Sequence, residues 1–222
     1  MKKVLLSFAV IIIMSSMQIQ KPVKVIFFGD SITRAGVEPE GYITLMQNAL
    51  RGKTNPEYEL IGAGIGGNKV YDLFLRFEDD VLSKKPDIVV IYVGVNDVWH
   101  KQSAQTGTDP DKFLAFYTAM IKKLQTSGIR VIVCTPAAIG ERTDFSNAQD
   151  GDLNRYSNII RDLAKKYSCG LVDLRKAFLA YNLKNNTENK ESGILTSDRV
   201  HLNPTGNKLV ADLMLKSISE TN

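Results

Sequence analysis

Residues 23–33 read Val-Lys-Val-Ile-Phe-Phe-Gly-Asp-Ser-Ile-Thr. The first six form a short apolar run, rich in β-branched and aromatic side chains and ended by Gly29. Such a run is too short for a helix and predicts a strand. The polar turn that follows places a serine hydroxyl, that of Ser31, at the strand's carboxyl end.

Working outward from this unit, strand-like and helix-like segments alternate. Residues 41–51 read as a helix and 58–61 as a second strand. Residues 70–82 carry Val70, Leu73, Phe74, Phe77 and Val81 at helical spacing. The continuous apolar run 88–93 predicts a strand buried on both faces. Asp109-Pro110 then opens a helix, with Phe113, Phe116, Tyr117, Met120, Ile121 and Leu124 as its apolar face and Gly128 as its stop. A fourth strand at 129–134, a helix at 152–167 and a fifth strand at 170–174 follow. Asn203-Pro204 starts a last helix running to about residue 219. This alternation implies an α/β fold, a five-stranded parallel sheet between two helical layers. The 222 residues contain no repeat, linker or low-complexity tract and form one domain.

The first twenty residues stand apart. Met1-Lys2-Lys3 is a short positive start, residues 4–14 are apolar except for Ser7, and small and polar residues follow. Eleven such residues are too few to span a bilayer and fit a signal peptide, residues 1–20, leaving a domain of 21–222 that is secreted or periplasmic. No cysteine follows the apolar run, which speaks against a lipid-anchored start. The formal net charge of +4 falls by 2 once Lys2 and Lys3 are removed, and the remaining basic residues are scattered. Neither a nucleic-acid partner nor a membrane partner after signal cleavage is expected. Only two cysteines occur, Cys134 and Cys169, so no disulfide framework exists, and whether these two pair is left open.

In an open parallel sheet, ligands bind beyond the carboxyl ends of the strands. Those ends carry Asp30-Ser31, the glycine-rich segment 62–67 with Asn68, Gly94-Val95-Asn96-Asp97, and Thr135-Pro136. Asp198-Arg199-Val200-His201 stands directly before the last helix. A serine, glycine amides, an asparagine amide and an Asp/His pair are the parts of an acyl-transfer site. With only His100 and His201 in the chain, the choice of base for Ser31 is narrow. His201 has a carboxylate, Asp198, three residues earlier, placed to hold one ring nitrogen while the other faces the serine. Each piece alone has an ordinary explanation: a turn, a cap or a surface pair.

Taken in order, the blocks around Ser31, Gly67, Asn96 and His201 resemble the SGNH (GDSL-like) hydrolase family. The resemblance runs from Gly29 to Gly206. It implies a flavodoxin-like three-layer fold and a triad of Ser31, His201 and Asp198. It also implies an oxyanion hole formed by the amides of Ser31 and Gly67 and the side chain of Asn96. Trp99 and His100, just after Asn96, are weaker candidates to line the substrate pocket, and Asp97 is expected to organise its turn. Three departures stand out. Ile32 replaces a leucine, Gly66 beside Gly67 leaves open which amide faces the oxyanion, and Arg199 stands where relatives often have glycine.

The family resemblance implies a serine esterase acting on a small acyl ester, with acetylated carbohydrate favoured as substrate and no cofactor or metal. The alternatives are an acyltransferase, a lysophospholipase or thioesterase on the same triad, and a glycan-binding module without turnover. The glycines of 62–67 also satisfy GxGxxG, but the acidic residue such a fingerprint wants, Asp87, opens a strand at the wrong edge. No GxSxG elbow and no histidine cluster is present, against an α/β-hydrolase and against zinc chemistry. The longest irregular stretches, 137–151 and 183–197, offer no large lid.

Overall fold

The structure is a computed structural model that describes residues 20–54 and 56–219. The expected signal peptide, apart from its last residue, lies outside the described residues. Five strands form one sheet: β1 Val23–Gly29, β2 Tyr58–Gly64, β3 Ile88–Tyr92, β4 Arg130–Cys134 and β5 Gly170–Val172. They are all parallel, in the order β2-β1-β3-β4-β5. The chain therefore reverses its direction of travel across the sheet at β1, between β2 and β3. That switch point is where open α/β sheets leave a crevice.

Register sharpens the crevice. Gly29 pairs with Gly64 on one side and with Tyr92 on the other. Three strands thus end at the same level, and the residues after each emerge side by side.

Helices cover both faces because alternate strand residues point opposite ways. Phe27 meets Tyr42 of α2 (Tyr42–Leu50) at 5.8 Å between ring centres. Its neighbour Phe28 meets Phe77 of α4 (Phe77–Asp80) at 6.0 Å on the other side. The short α1 (Ser31–Ala35) packs on β2, and α2 packs against α9 (Pro204–Ser219). On the opposite face α6 (Pro110–Thr126) packs against both α3 (Val70–Leu75) and α7 (Asp150–Lys166), with α5 (Val95–Ser103) resting on α7. α8 (Leu174–Asn185) follows β5.

Several expectations need correction. The helix expected over 70–82 breaks at Arg76 into α3 and α4, because the Arg76 guanidinium turns in to bond the sheet ends. β5 ends at Val172, and α8 takes in Leu174, expected as the strand's end, and residues 183–185, expected as irregular. Its periodicity is hidden because Arg175 and Asn182 are buried while Leu183 is exposed. α1 and α5 were not anticipated, since their polar buried residues are not an apolar stripe. The face of α6 is as expected except that Phe116 is only partly buried, against Phe74 at 5.2 Å. Both cysteines are free, and burial pushes the thiol of Cys169 up to about 11 and that of Cys134 higher still. Among the described residues, no helix is long and apolar enough to cross a membrane.

Candidate active site

Ser31 is the first residue of α1, and Asp30 caps that helix by accepting the Ile32 N–H at 2.9 Å. The cap fixes where the serine side chain leaves the backbone. Gly64, at the end of β2, has to be glycine: a Cβ there would collide with the backbone N of Arg34. This close approach lets the end of β2 lie against the nucleophile helix.

The structure brings Ser31 and His201 together across 170 residues of sequence, with Ser31 Oγ 2.9 Å from His201 Nε2. His201 Nδ1 lies 2.7 Å from Asp198 Oδ2. The other carboxylate oxygen, Oδ1, accepts the backbone N–H groups of Val200 at 3.1 Å and His201 at 2.8 Å. Burial alone would raise the Asp198 carboxyl, but these bonds from the His201 ring and the two N–H groups outweigh it and hold it below the usual range. Asp198 stays ionised, as an orienter of the ring must. The turn keeps a glycine-like shape even though Arg199 occupies it, with φ +86°. Arg199 is fastened there: its carbonyl accepts the Gly140 N–H at 2.9 Å and its Nε lies 2.8 Å from Glu191.

Asn96 is buried near the start of α5 and donates through Nδ2 to the Asn68 carbonyl at 3.0 Å, tying β3's loop to β2's. Asp97 reinforces the same seam: its carboxylate accepts the Val70 N–H at 3.1 and 3.3 Å. It therefore organises the neighbouring loop as well as its own. Gly66 and Gly67 differ in surroundings. The Arg34 guanidinium covers Gly66, whereas Gly67, at φ +77°, faces the His100 ring across 4.0 Å from where a Cβ would stand. His100 is one helical turn beyond Asn96, so both lie on the same side of α5. Burial, then the charge of Lys69, lower the His100 pKa, which keeps it neutral near pH 7. Trp99 packs partly into the core with its ring 5.7 Å from that of His100.

Beneath the serine lie two buried acids. Burial pushes the Asp30 carboxyl up to about 7, aided by the nearby Asp97, despite the bond from Ile32. Asp97 is raised to about 6, again by burial, with the bond from the Val70 N–H opposing.

Two residues that sequence reasoning missed hold these parts in place. The Arg76 guanidinium donates to the carbonyls of Gly29 (2.7 Å) and Ala63 (3.1 Å) and to Asn68 Oδ1 (2.8 Å). It also stacks over Phe28 with 4.5 Å to the ring centre. It therefore joins the ends of β1 and β2 to the loop that Asn96 grips. Glu141, only 1% exposed, accepts three successive N–H groups, those of Ile194 (2.9 Å), Leu195 (2.6 Å) and Thr196 (2.9 Å). Those residues lead into the Asp198–His201 turn, which an antiparallel bridge between Thr196 and Leu202 closes. Neither residue could be found locally, because the partners of Glu141 lie more than fifty positions downstream.

The geometry agrees with similarity to known proteins. A model of the GDSL-like Lipase/Acylhydrolase family matches residues 27–209. The chain belongs to this family. As a GDSL-like acylhydrolase it is a carboxylic ester hydrolase, and its fold is that of its relatives. An acetylxylan esterase of Geobacillus stearothermophilus is 29% identical, over 91% of this chain and 96% of that one. The crystal structure of the acetyl xylan esterase AlAXEase superposes with a TM-score of 0.87 at 68% identity, covering 88% of this chain and all (100%) of that one. The uncharacterized lipoprotein YqeF of Bacillus subtilis (strain 168) is 26% identical over 84% of this acylhydrolase and 85% of its own length.

Proposed function

We propose that this acylhydrolase removes acetyl groups from a carbohydrate outside the cytoplasm, through an acyl-enzyme on Ser31. The observation that carries the mechanism is the continuous hydrogen-bonded path Ser31–His201–Asp198 at the switch point of the sheet. The carbohydrate acetyl ester as substrate rests on the acetylxylan esterases among its relatives, one of them 68% identical. Export rests on the charged and apolar start of the chain.

His201 Nε2 takes the Ser31 proton as Oγ attacks the ester carbon, while ionised Asp198 stabilises the imidazolium and fixes its orientation. The carbonyl electrons move onto the oxygen. That oxyanion is met by the N–H groups of Ser31 and Gly67 and by the Asn96 amide, whose second N–H is not needed by Asn68. Donors that meet charge only in the transition state lower the barrier by about 3 kcal/mol each. Collapse of the intermediate breaks the bond to the sugar oxygen, which leaves with the proton from His201. Water then repeats the sequence on the acyl-serine, giving acetate and free Ser31. Neutral His100 and the edge of Trp99 flank this site on the Asn96 side and are assigned to substrate contact.

The test is release of acetate from acetylated xylo-oligosaccharides by wild type, Ser31→Ala and His201→Ala. Each variant is expected to lose turnover together, since nucleophile and base act as one unit. Ser31→Ala retaining more than about a hundredth of the wild-type rate would refute the mechanism.

A further inference from the structure

The loop between β4 and α7 ends in an aromatic side chain that nothing in the fold uses. Phe145 is 95% exposed, the most open large apolar side chain among the described residues, ahead of Leu75 at 80%. Exposure alone would be ordinary. Its backbone is not: φ is +66°, a conformation that costs a bulky residue free energy and persists only where the surroundings enforce it.

The surroundings do enforce it. Asp144 Oδ1 accepts the N–H and the hydroxyl of Ser146 at 3.1 and 2.6 Å, closing the turn around Phe145. Asn189 braces the turn from outside, donating to Asp144 Oδ2 at 2.7 Å and accepting the Thr143 N–H at 2.8 Å. Asn147 holds the far side through the Arg142 carbonyl at 2.7 Å. A strained turn pinned from three directions thus displays a ring that gains nothing from the fold.

The same loop reaches the candidate active site. Four residues before Phe145 stands Glu141, which grips the segment leading to His201, and Gly140 bonds the carbonyl of Arg199. Four residues of chain span at most about 14 Å. β4 ends level with β1 and β3, so the loop leaves the same sheet edge as Ser31. A chain of sugars extending from Ser31 along that edge meets the loop through its distal units. The pyranose face presents C–H groups that pack on an aromatic face, and a turn whose backbone is already pinned leaves only the side-chain rotamer to be ordered on contact.

We propose that Phe145 is a stacking platform for a distal sugar of the carbohydrate whose acetyl group is bound at Ser31. The inference rests on the reading of the protein as a carbohydrate acetylesterase, and it adds a preference for chain length. It makes Phe145 a binding residue and gives it no part in bond breaking.

The experiment compares wild type, Phe145→Ala and Phe145→Tyr on p-nitrophenyl acetate, an acetylated monosaccharide, and acetylated xylo-oligosaccharides of increasing length. Wild type is expected to show KM falling as the chain lengthens. Phe145→Ala should raise KM about 3- to 10-fold on the longer substrates, the size of an aromatic packing contact, with kcat unchanged. It should match wild type on the two small esters, and Phe145→Tyr should restore the length dependence. Equal KM values for wild type and Phe145→Ala at every length would overturn the proposal. So would a fall in native mass on Phe145→Ala, since the ring would then be buried against a second copy. Failure of wild type to deacetylate any saccharide while it cleaves p-nitrophenyl acetate would overturn the substrate reading and this inference with it.

Discussion

Replacing Glu141 by Gln alters one atom and tests how the triad is supported. In the native structure a buried carboxylate receives three N–H groups at 2.6–2.9 Å. Bonds to a charged acceptor contribute about 1.5–3 kcal/mol each, and neutral ones about 0.5–1.5. Glutamine can keep its oxygen toward Leu195 and Thr196, but its NH₂ then faces the Ile194 N–H, donor against donor. Weakening two bonds by about 1–1.5 kcal/mol each and orphaning one donor at about 1–3 kcal/mol sums to a loss of about 3–6 kcal/mol, a large part of a domain's stability. For a chain of this size that lowers Tm by about 6–24 °C. The same loosening lets the Asp198–His201 turn drift, and a misplacement of about 1 Å costs up to 10²-fold in rate. Differential scanning calorimetry, together with kcat and KM on p-nitrophenyl acetate well below the variant's Tm, reads both effects. A Glu141→Gln protein that melts with the wild type and keeps its kcat would refute the reasoning. One that melts early yet keeps full kcat would leave Glu141 supporting the fold alone.

Asn96→Ala should lower kcat roughly 10²–10³-fold with little change in KM, because its amide meets charge that exists only in the transition state; a raised KM with kcat intact would make it a ground-state contact. Arg199→Gly should leave kcat/KM within about twofold and Tm within about 4 °C, since relief of the φ +86° strain offsets a half-exposed ion pair and a more flexible unfolded chain. A tenfold loss of kcat/KM would show that the arginine side chain itself serves the site. Asp30, raised from 3.8 to about 7 in the fold, binds its proton more tightly folded than unfolded. Its contribution is therefore most favourable below about pH 4 and is lost as pH rises toward 7, by on the order of 4 kcal/mol. Asp30→Asn should flatten that slope in melts taken from pH 4.5 to pH 8; an unchanged slope would place the pH dependence elsewhere.

Much of this was legible in the sequence because the sheet is buried on both sides. Residues 23–28 and 88–93 announce themselves as continuous apolar runs, and the strand order places their polar successors at one edge. Ser31, Asn96, Asp198 and His201 are legible from position and residue type; the structure joins Ser31, His201 and Asp198 in one hydrogen-bonded path and ties Asn96 to Asn68 at the same sheet edge. What could not be read is equally specific. Arg76 sits in a stretch with sound helical periodicity, yet its guanidinium is drawn to carbonyls of β1 and β2, and the helix breaks there. α5 carries Asn96 and Asp97 buried at its first turn, so the window looked polar and loop-like. Leu179 and Leu183 are exposed on α8 while Arg175 is buried, which inverts the pattern a helix should show.

These failures share a cause. A local pattern predicts well where each residue satisfies its own preference, and it fails where a residue is held against that preference by distant partners. Asp30 and Asp97 are buried carboxyls, Asn96 is a buried amide, Arg199 carries a glycine's backbone angle, and Glu141 is a buried anion. Every one of them lies within the crevice or braces a segment that does. The costs are met by bonds that converge from separate strands, so each residue is stable only once the others are in place. Ser31 and His201 approach to 2.9 Å because Arg76 closes the ends of β1 and β2 and Glu141 closes the loop before His201. The two braces share no partner, so their loss should be additive in stability. In rate they should not add, because either loss misaligns the same Ser31–His201 bond, and a dyad already misaligned has little left to lose.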